Sequence, residues 1–206
     1  MNDSGALPAY AGWFGKIPSL GDFVTRLLPA SFVAPWDAWL SGELVQARQV
    51  LGGSWDETYA RAPTLCFSLA AGALDEHAWH GVLVPSLDRV GRQFPLTIAL
   101  SCPPAVAATF GRPGWAALVA SGRRALESDV GSEGVDEGLR LFIGQHLRCT
   151  APADPHPGRI ESALARLPER TGLWWSVSSE RSAGAVPIIF YALPRGAWFR
   201  ELLGSR

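Results

Sequence analysis

The chain has 206 residues, of which 48% are hydrophobic and 18% charged, a balance typical of a globular protein with a substantial core. Its net charge of −1 excludes the strongly basic surface that nucleic-acid binding needs, and no stretch approaches the ~20 apolar residues of a membrane-spanning helix. We expect one domain over residues 1–206, with no nucleic acid as partner and no membrane insertion.

The first half of the chain predicts a short strand, two helices and three further strands. Apolar residues recur at helical spacing from about Ser31 or Pro35, and Gly52 ends that pattern. Short loops separate the next three apolar segments, which favours antiparallel pairing, since parallel crossovers need a dozen or more residues. The predicted elements are, in order, a strand at 13–16, a helix that ends at 51, a second helix at 54–61, and strands at Thr64–Leu69, Trp79–Val84 and Phe94–Leu100.

The second half predicts two helices, a proline-rich loop, two strands and a terminal helix after Pro194. Because helices and strands are segregated along the chain, the fold class is α+β, layered, with a mainly antiparallel central sheet flanked by helices on both faces. The elements are helices at Pro113–Ser128 and Val135–Leu147, the loop Ala151–Gly158, and strands at Gly172–Ser178 and Val186–Ala192.

Two adjacent tryptophans bear on how that sheet is covered. Successive side chains of a strand point to opposite faces, so Trp174 and Trp175 cannot share one core. Either helices cover both faces, or one tryptophan is exposed as an anchor for a protein partner. These two residues alone leave both alternatives open, and Trp175 is one candidate contact.

The cysteines and histidines indicate a cytoplasmic protein without a bound metal or other cofactor. Cys66, Cys102 and Cys149 are odd in number and widely spaced, which suits a reducing compartment better than a disulfide framework. His77 and His80 are three residues apart, but no second pair of ligands follows at zinc spacing. The first residues also lack the basic start and apolar run of a signal peptide.

A polar corner, Pro85–Gln93, lies between two buried strands. A charge so close to core segments needs a partner, because burying an ion alone costs several kcal/mol. Asp88 and Arg92 are four residues apart in a turn. This spacing favours an internal salt bridge that holds the turn over a guanidinium that binds a carboxylate or phosphate ligand. Ser86 is expected to close the turn after Pro85. Arg89, if it points outward, is the best candidate for contact with a partner.

The N-terminal block, Gly12–Phe23, reads GWFGKIPSLGDF and carries a similar ambiguity. Lys16 and Asp22 could pair with each other or with the polar corner. Lys16 is therefore a second candidate for a partner contact, and Asp22 a candidate member of the structural corner with Ser86 and Asp88. We do not expect a phosphate-binding loop, because Ile17 stands where that motif requires a hydroxyl residue after lysine.

Three separated motifs, in order, resemble the TagF family of type VI secretion-associated proteins. The N-terminal block is similar to the family's aromatic- and glycine-rich start. Leu28–Leu40 contains the P-W-D-x-W helix, and Gly81–Leu96 contains P-S-x-D-x-x-G-R-x-[FY]-P-L. The tail at Ala192–Leu203 is also similar, though less distinctive, so the resemblance spans nearly the whole chain.

The resemblance implies a cytoplasmic, post-translational repressor of type VI secretion that sequesters the pathway's forkhead-associated scaffold protein. The residues themselves leave an alternative, an enzyme or small-ligand sensor with a pocket at Asp22, Asp88 and Arg92. A structural subunit of the secretion assembly is a third possibility. Because no G-x-S-x-G elbow or other activated nucleophile is recognisable, we expect no enzyme activity.

Overall fold

One sheet of seven strands forms the centre of the computed structural model, which describes residues 8–147, 158–177 and 187–204. The strand order is β2-β1-β5-β4-β3-β6-β7, and every neighbouring pair is antiparallel. The predicted α+β fold is therefore confirmed. The strands are β1 (Tyr10–Gly15), β2 (Val24–Arg26), β3 (Thr64–Leu69), β4 (Trp79–Val84), β5 (Leu96–Ser101), β6 (Thr171–Val177) and β7 (Ile188–Tyr191).

Helices cover both faces of the sheet, as predicted, and each face has its own hydrophobic core. On one face lie α1 (Ala30–Leu51), α2 (Trp55–Arg61) and α7 (Ala197–Gly204), with a short 3₁₀ turn at Gly52–Ser54. The other face packs against α3 (Pro104–Ala108), α4 (Gly111–Arg124), α5 (Ser132–His146) and α6 (Arg159–Leu164). None of the helices in the described ranges has the length and apolar character needed to span a membrane.

The differences from the predicted elements are local. The strand β2 and the helices α3 and α6 were not predicted, because segments of three to six residues are too short to show a period. Helix α1 begins at Ala30, so Pro35 lies inside it and not in its first turn. Cys149, residues 151–157 of the predicted loop, and Ser178 and Val186 at the ends of the last two predicted strands lie outside the described residues.

The two adjacent tryptophans of β6 are both buried, one in each core. Trp174 packs on the α1 face, with its ring centroid 5.6 Å from that of Trp39. Trp175 points to the other face and meets Trp115 of α4 edge-on, at a centroid distance of 4.7 Å. Because only 2% of Trp175 is exposed, its side chain is not available as the partner contact that we considered from the sequence.

His80, in the middle of the sheet, is fully buried between two hydrogen-bond partners. Its Nε2–H donates to the carbonyl oxygen of Cys102 at 2.8 Å, and its Nδ1 accepts from the Ser68 hydroxyl at 2.7 Å. This arrangement satisfies the neutral imidazole completely. Burial lowers the pKa of His80 to about 4, because the charged form is poorly solvated in the core.

We therefore expect the free energy of unfolding to decrease as the pH falls from 6.5 to about 4. In the unfolded chain the imidazole pKa is 6.5, so the unfolded state binds the proton first and gains stability relative to the folded state. The free energy of unfolding should decrease by about 3 kcal/mol in total over this window, and this decrease should be absent above pH 6.5. Urea unfolding at a series of pH values measures it.

The matched control for the pH series is His80→Gln, whose amide can still bond to Ser68 and Cys102. Its free energy of unfolding should change much less over the same pH window, because glutamine does not titrate. An equal slope in the two proteins would contradict the assignment to His80.

Candidate partner-binding site

The structure brings the N-terminal block and the polar corner together at one end of the sheet. The chain leaves β1 at Gly15, whose φ of +131° and close approach to the carbonyl oxygen of Pro95 exclude a side chain. The Ser86 hydroxyl then donates to the carbonyl oxygen of Lys16 at 2.7 Å. The backbone N–H of Arg89 donates to the carbonyl oxygen of Leu20 at 2.9 Å. Two loops that are distant in sequence therefore form one surface.

Asp88 lies at the centre of this contact and is completely buried. Its Oδ2 is 3.1 Å from the Lys16 ammonium and accepts from the Arg92 Nε at 2.6 Å. Its Oδ1 accepts from the backbone N–H groups of Val90 at 3.1 Å and Arg92 at 2.9 Å. The internal Asp88–Arg92 pair favoured from the sequence is present, and Lys16 is a further partner.

The partners of Asp88 keep its carboxylate ionised. Burial alone would raise the pKa of Asp88, but the bonds from the Arg92 backbone, from the Lys16 and Arg92 side chains and from the Val90 backbone lower it well below the usual range. Both oxygens of the carboxylate are thus occupied within the protein. This leaves Asp88 in a structural role, with no oxygen directed to a substrate.

Ser86 is buried beside Asp88 and is fixed by a tyrosine that sequence reasoning missed. The Tyr59 hydroxyl donates to the Ser86 carbonyl oxygen at 2.8 Å and accepts from the Ser86 N–H at 3.1 Å. Nothing in the sequence near Tyr59, an apolar position of α2, indicates this contact. Asp22 is different: it is exposed and accepts from the N–H of its neighbour Phe23 at 2.8 Å. It makes no ion pair with any described residue.

Of the three residues considered for partner contact, only Arg89 is exposed. Lys16 is buried, with its ammonium 4.7 Å from the ring centroid of Phe23. It therefore stabilises the corner and is not accessible to a partner. The Arg89 guanidinium has no hydrogen bond or ion pair to any described residue. Exposed apolar side chains lie on the same two loops: Val90, 69% exposed, and the partly exposed Leu87 and Phe23.

An enzyme or small-ligand sensor at Asp22, Asp88 and Arg92 would need a carboxylate open to its ligand, whereas Asp88 is buried with both oxygens bonded within the protein. An open groove of about 920 Å³ lies between α4 and α5 and reaches Leu20 of the N-terminal block, but none of those three residues lines it. Within the described ranges, no group of three or more histidine, cysteine, aspartate and glutamate side chains could hold a metal ion. The geometry therefore favours a protein-binding surface over a pocket.

Comparison with known proteins identifies the class of this chain. Residues 12–130, more than half of the chain and including both loops of the corner, match a family described as the TagF N-terminal domain, type VI secretion system-associated. The protein is thus a type VI secretion-associated protein. Within that class, it belongs to the TagF N-terminal domain family, as the three sequence motifs indicated.

A solved structure extends the likeness beyond the matched residues. The crystal structure of PA0076 from Pseudomonas aeruginosa PAO1 superposes with a TM-score of 0.75 at 28% sequence identity. The alignment covers 95% of this chain and 94% of PA0076, so the whole architecture, including β6 and β7, is similar. Among curated proteins, none matches this sequence significantly.

Removing the charge of Asp88 should destabilise the protein more than removing Arg92. Asp88→Asn leaves the Lys16 ammonium buried without a counter-ion, which should lower the Tm by roughly 10 °C. Arg92→Ala should lower it by less than about 5 °C, because the Arg92 side chain is 57% exposed and Lys16 keeps its partner. Thermal unfolding followed by circular dichroism measures both.

The double variant Lys16→Met/Asp88→Asn is the control for this comparison. Replacing the buried ammonium with an apolar side chain of similar length removes the unpaired charge, so part of the lost Tm should return. If Arg92→Ala were as damaging as Asp88→Asn, Lys16 would not be the partner that matters most for stability.

Proposed function

We propose that this protein is a cytoplasmic negative regulator of type VI secretion that acts after translation, by binding and sequestering a forkhead-associated scaffold protein. Membership of a type VI secretion-associated family supports the pathway. The observation that carries the mode of action is the exposed Arg89 guanidinium, held on a loop whose base is a buried ion pair. The regulator acts by binding and not by catalysis.

The polar corner has the properties of a pre-organised binding surface. Its backbone is fixed on both sides of Arg89, by the bond from Arg89 to Leu20 and by the bonds that Val90 and Arg92 donate to Asp88. A loop that is already ordered loses less conformational entropy when a partner binds. Arginine is also enriched among the residues that contribute most to binding energy in protein interfaces.

The apolar side chains beside Arg89 complete this surface. Val90 and Leu87 expose aliphatic groups on the same loop, and Phe23 exposes an aromatic ring on the neighbouring loop. Apolar contact together with a cationic group that has no partner among the described residues suits a protein surface with an acidic and an apolar component. Binding there would occlude a part of the scaffold that the secretion machine needs for assembly.

Calorimetric titration of this protein with the purified scaffold of the same bacterium tests the proposal. We expect saturable binding with a defined stoichiometry for the natural sequence. Arg89→Glu should raise the Kd by at least about tenfold, because it replaces the attractive charge with a repulsive one. The Tm should stay unchanged, since the Arg89 side chain has no bond to any described residue.

Arg112→Glu is the matched control, with the same charge change at another exposed arginine. Arg112 lies ten residues, roughly 15 Å along α4, before Gly122, which packs against Val84 next to the corner. Its Kd should equal that of the natural sequence. Absence of binding at high micromolar concentration would contradict the scaffold as partner, whereas full binding by Arg89→Glu would exclude the corner as the interface.

A further inference from the structure

The two edges of the sheet differ in how they are protected. The edge strand β2 has only three residues and carries Thr25 and the charged Arg26, which is typical of an edge that resists pairing with another chain. The opposite edge, β7, has the sequence IIFY without a charge. Among the described residues no strand pairs with its outer side. Within the described part of the chain, the outer row of backbone donors and acceptors of β7 therefore has no strand partner.

Apolar side chains are exposed on both faces of the sheet at β7. Ile189 lies opposite Leu173, so Ile189 and Tyr191 belong to the α4 face, where they are 53% and 74% exposed. Ile188 lies opposite Trp174 and belongs to the α1 face. Next to it on that face is Trp198 of α7, 53% exposed and packed edge-on against Phe190. A strand added here must therefore cover apolar groups above and below the sheet.

We propose that β7 pairs antiparallel with β7 of a second copy of this chain, so that two sheets join into one continuous sheet. Antiparallel pairing of identical strands places the two-fold axis perpendicular to the sheet, so each face continues into the same face of the copy. With the two-fold axis at Ile189, this residue meets its own counterpart on one face, and Tyr191 lies opposite Pro187 of the copy. On the other face Ile188 lies opposite Phe190 of the copy, with Trp198 beside that pair.

Charge also selects a second copy as the occupant of this edge. The strand is neutral, so two identical strands can approach without like-charge repulsion. The polar corner is the opposite case, because pairing it with itself would bring Arg89 and Arg92 of one copy towards those of the other. The corner and the β7 edge therefore suit different partners, and β3 and β6 lie between them in the sheet.

The size of the edge sets the expected strength of the dimer. Tyr191 and Trp198 together offer roughly 250 Å² per copy, given their exposed fractions and the 150–250 Å² that such side chains bury. The two isoleucines and the paired backbone add to this, which brings the interface to the small end of those of specific complexes. We therefore expect a reversible dimer with a Kd in the micromolar range.

Sedimentation velocity of the purified chain from about 1 µM to about 500 µM tests this inference. The natural sequence should pass from monomer to dimer over that range. Ile189→Lys places two lysines next to each other across the two-fold axis and should raise the dimer Kd by at least about tenfold. Val45→Lys is the matched control: Val45 is 58% exposed on α1, and its change should leave the dimer intact.

A second variant keeps the test valid if Ile189→Lys does not fold, as judged by its circular dichroism. Tyr191→Lys changes the most exposed residue of the strand and should also weaken the dimer. A monomer at every concentration overturns the inference. So does a dimer that survives in every folded lysine variant of the strand, since it would use another surface. Arg89→Glu should remain dimeric, so failure of the β7 dimer and failure of scaffold binding are distinguishable.

Discussion

The end of the sheet that carries the polar corner depends on one buried carboxylate, Asp88. Its partners come from a segment after β1 and from its own turn between β4 and β5. Since β5 lies between β1 and β4 in the sheet, the Lys16–Asp88 pair ties the segment after β1 to the turn that joins β4 to β5. Two cationic groups and two backbone donors offset the cost of burying the charge. The bond from Ser86 to the Lys16 carbonyl and the two bonds with Tyr59 then hold the surrounding backbone in one conformation.

The covering of both faces explains why the central strands read as continuous apolar runs. Every residue of β3, β4 and β5 is buried, because helices lie above and below each of these strands. The polar groups that fall within them must then bond to one another, as Ser68, His80 and the Cys102 carbonyl do. Burial decreases towards the edges, where β2 and β7 retain exposed positions. The tryptophans of β6, one in each core, mark the last strand from which side chains are fully covered on both sides.

Much of the fold could be predicted because its signals are local. Apolar runs marked β3, β4 and β5, short loops favoured antiparallel pairing, and the spacing of Asp88 and Arg92 indicated their pair. The choice of Lys16 between Asp22 and Asp88 could not be predicted, since Asp22 is near in sequence whereas the actual partner is 72 positions away. Tyr59 was missed for the same reason, because a contact between a helix and a loop leaves no local pattern. Trp175 was ambiguous because alternation in a strand shows that two faces differ, but not what covers each face.

The two arginines of the polar corner illustrate how one short turn can supply both rigidity and recognition. Arg92 uses its guanidinium internally, with its Nε on Asp88 and its Nη2 on the Gly21 carbonyl at 2.5 Å, so it closes the gap between the two loops. Arg89 is held only through its backbone, and its charge remains directed outwards without an internal partner among the described residues. The buried charge network therefore fixes the backbone position of Arg89 and leaves its guanidinium unpaired among the described residues. Because desolvating an already paired arginine would sacrifice existing bonds, Arg89 is the better of the two to exchange water for an acidic group of a partner.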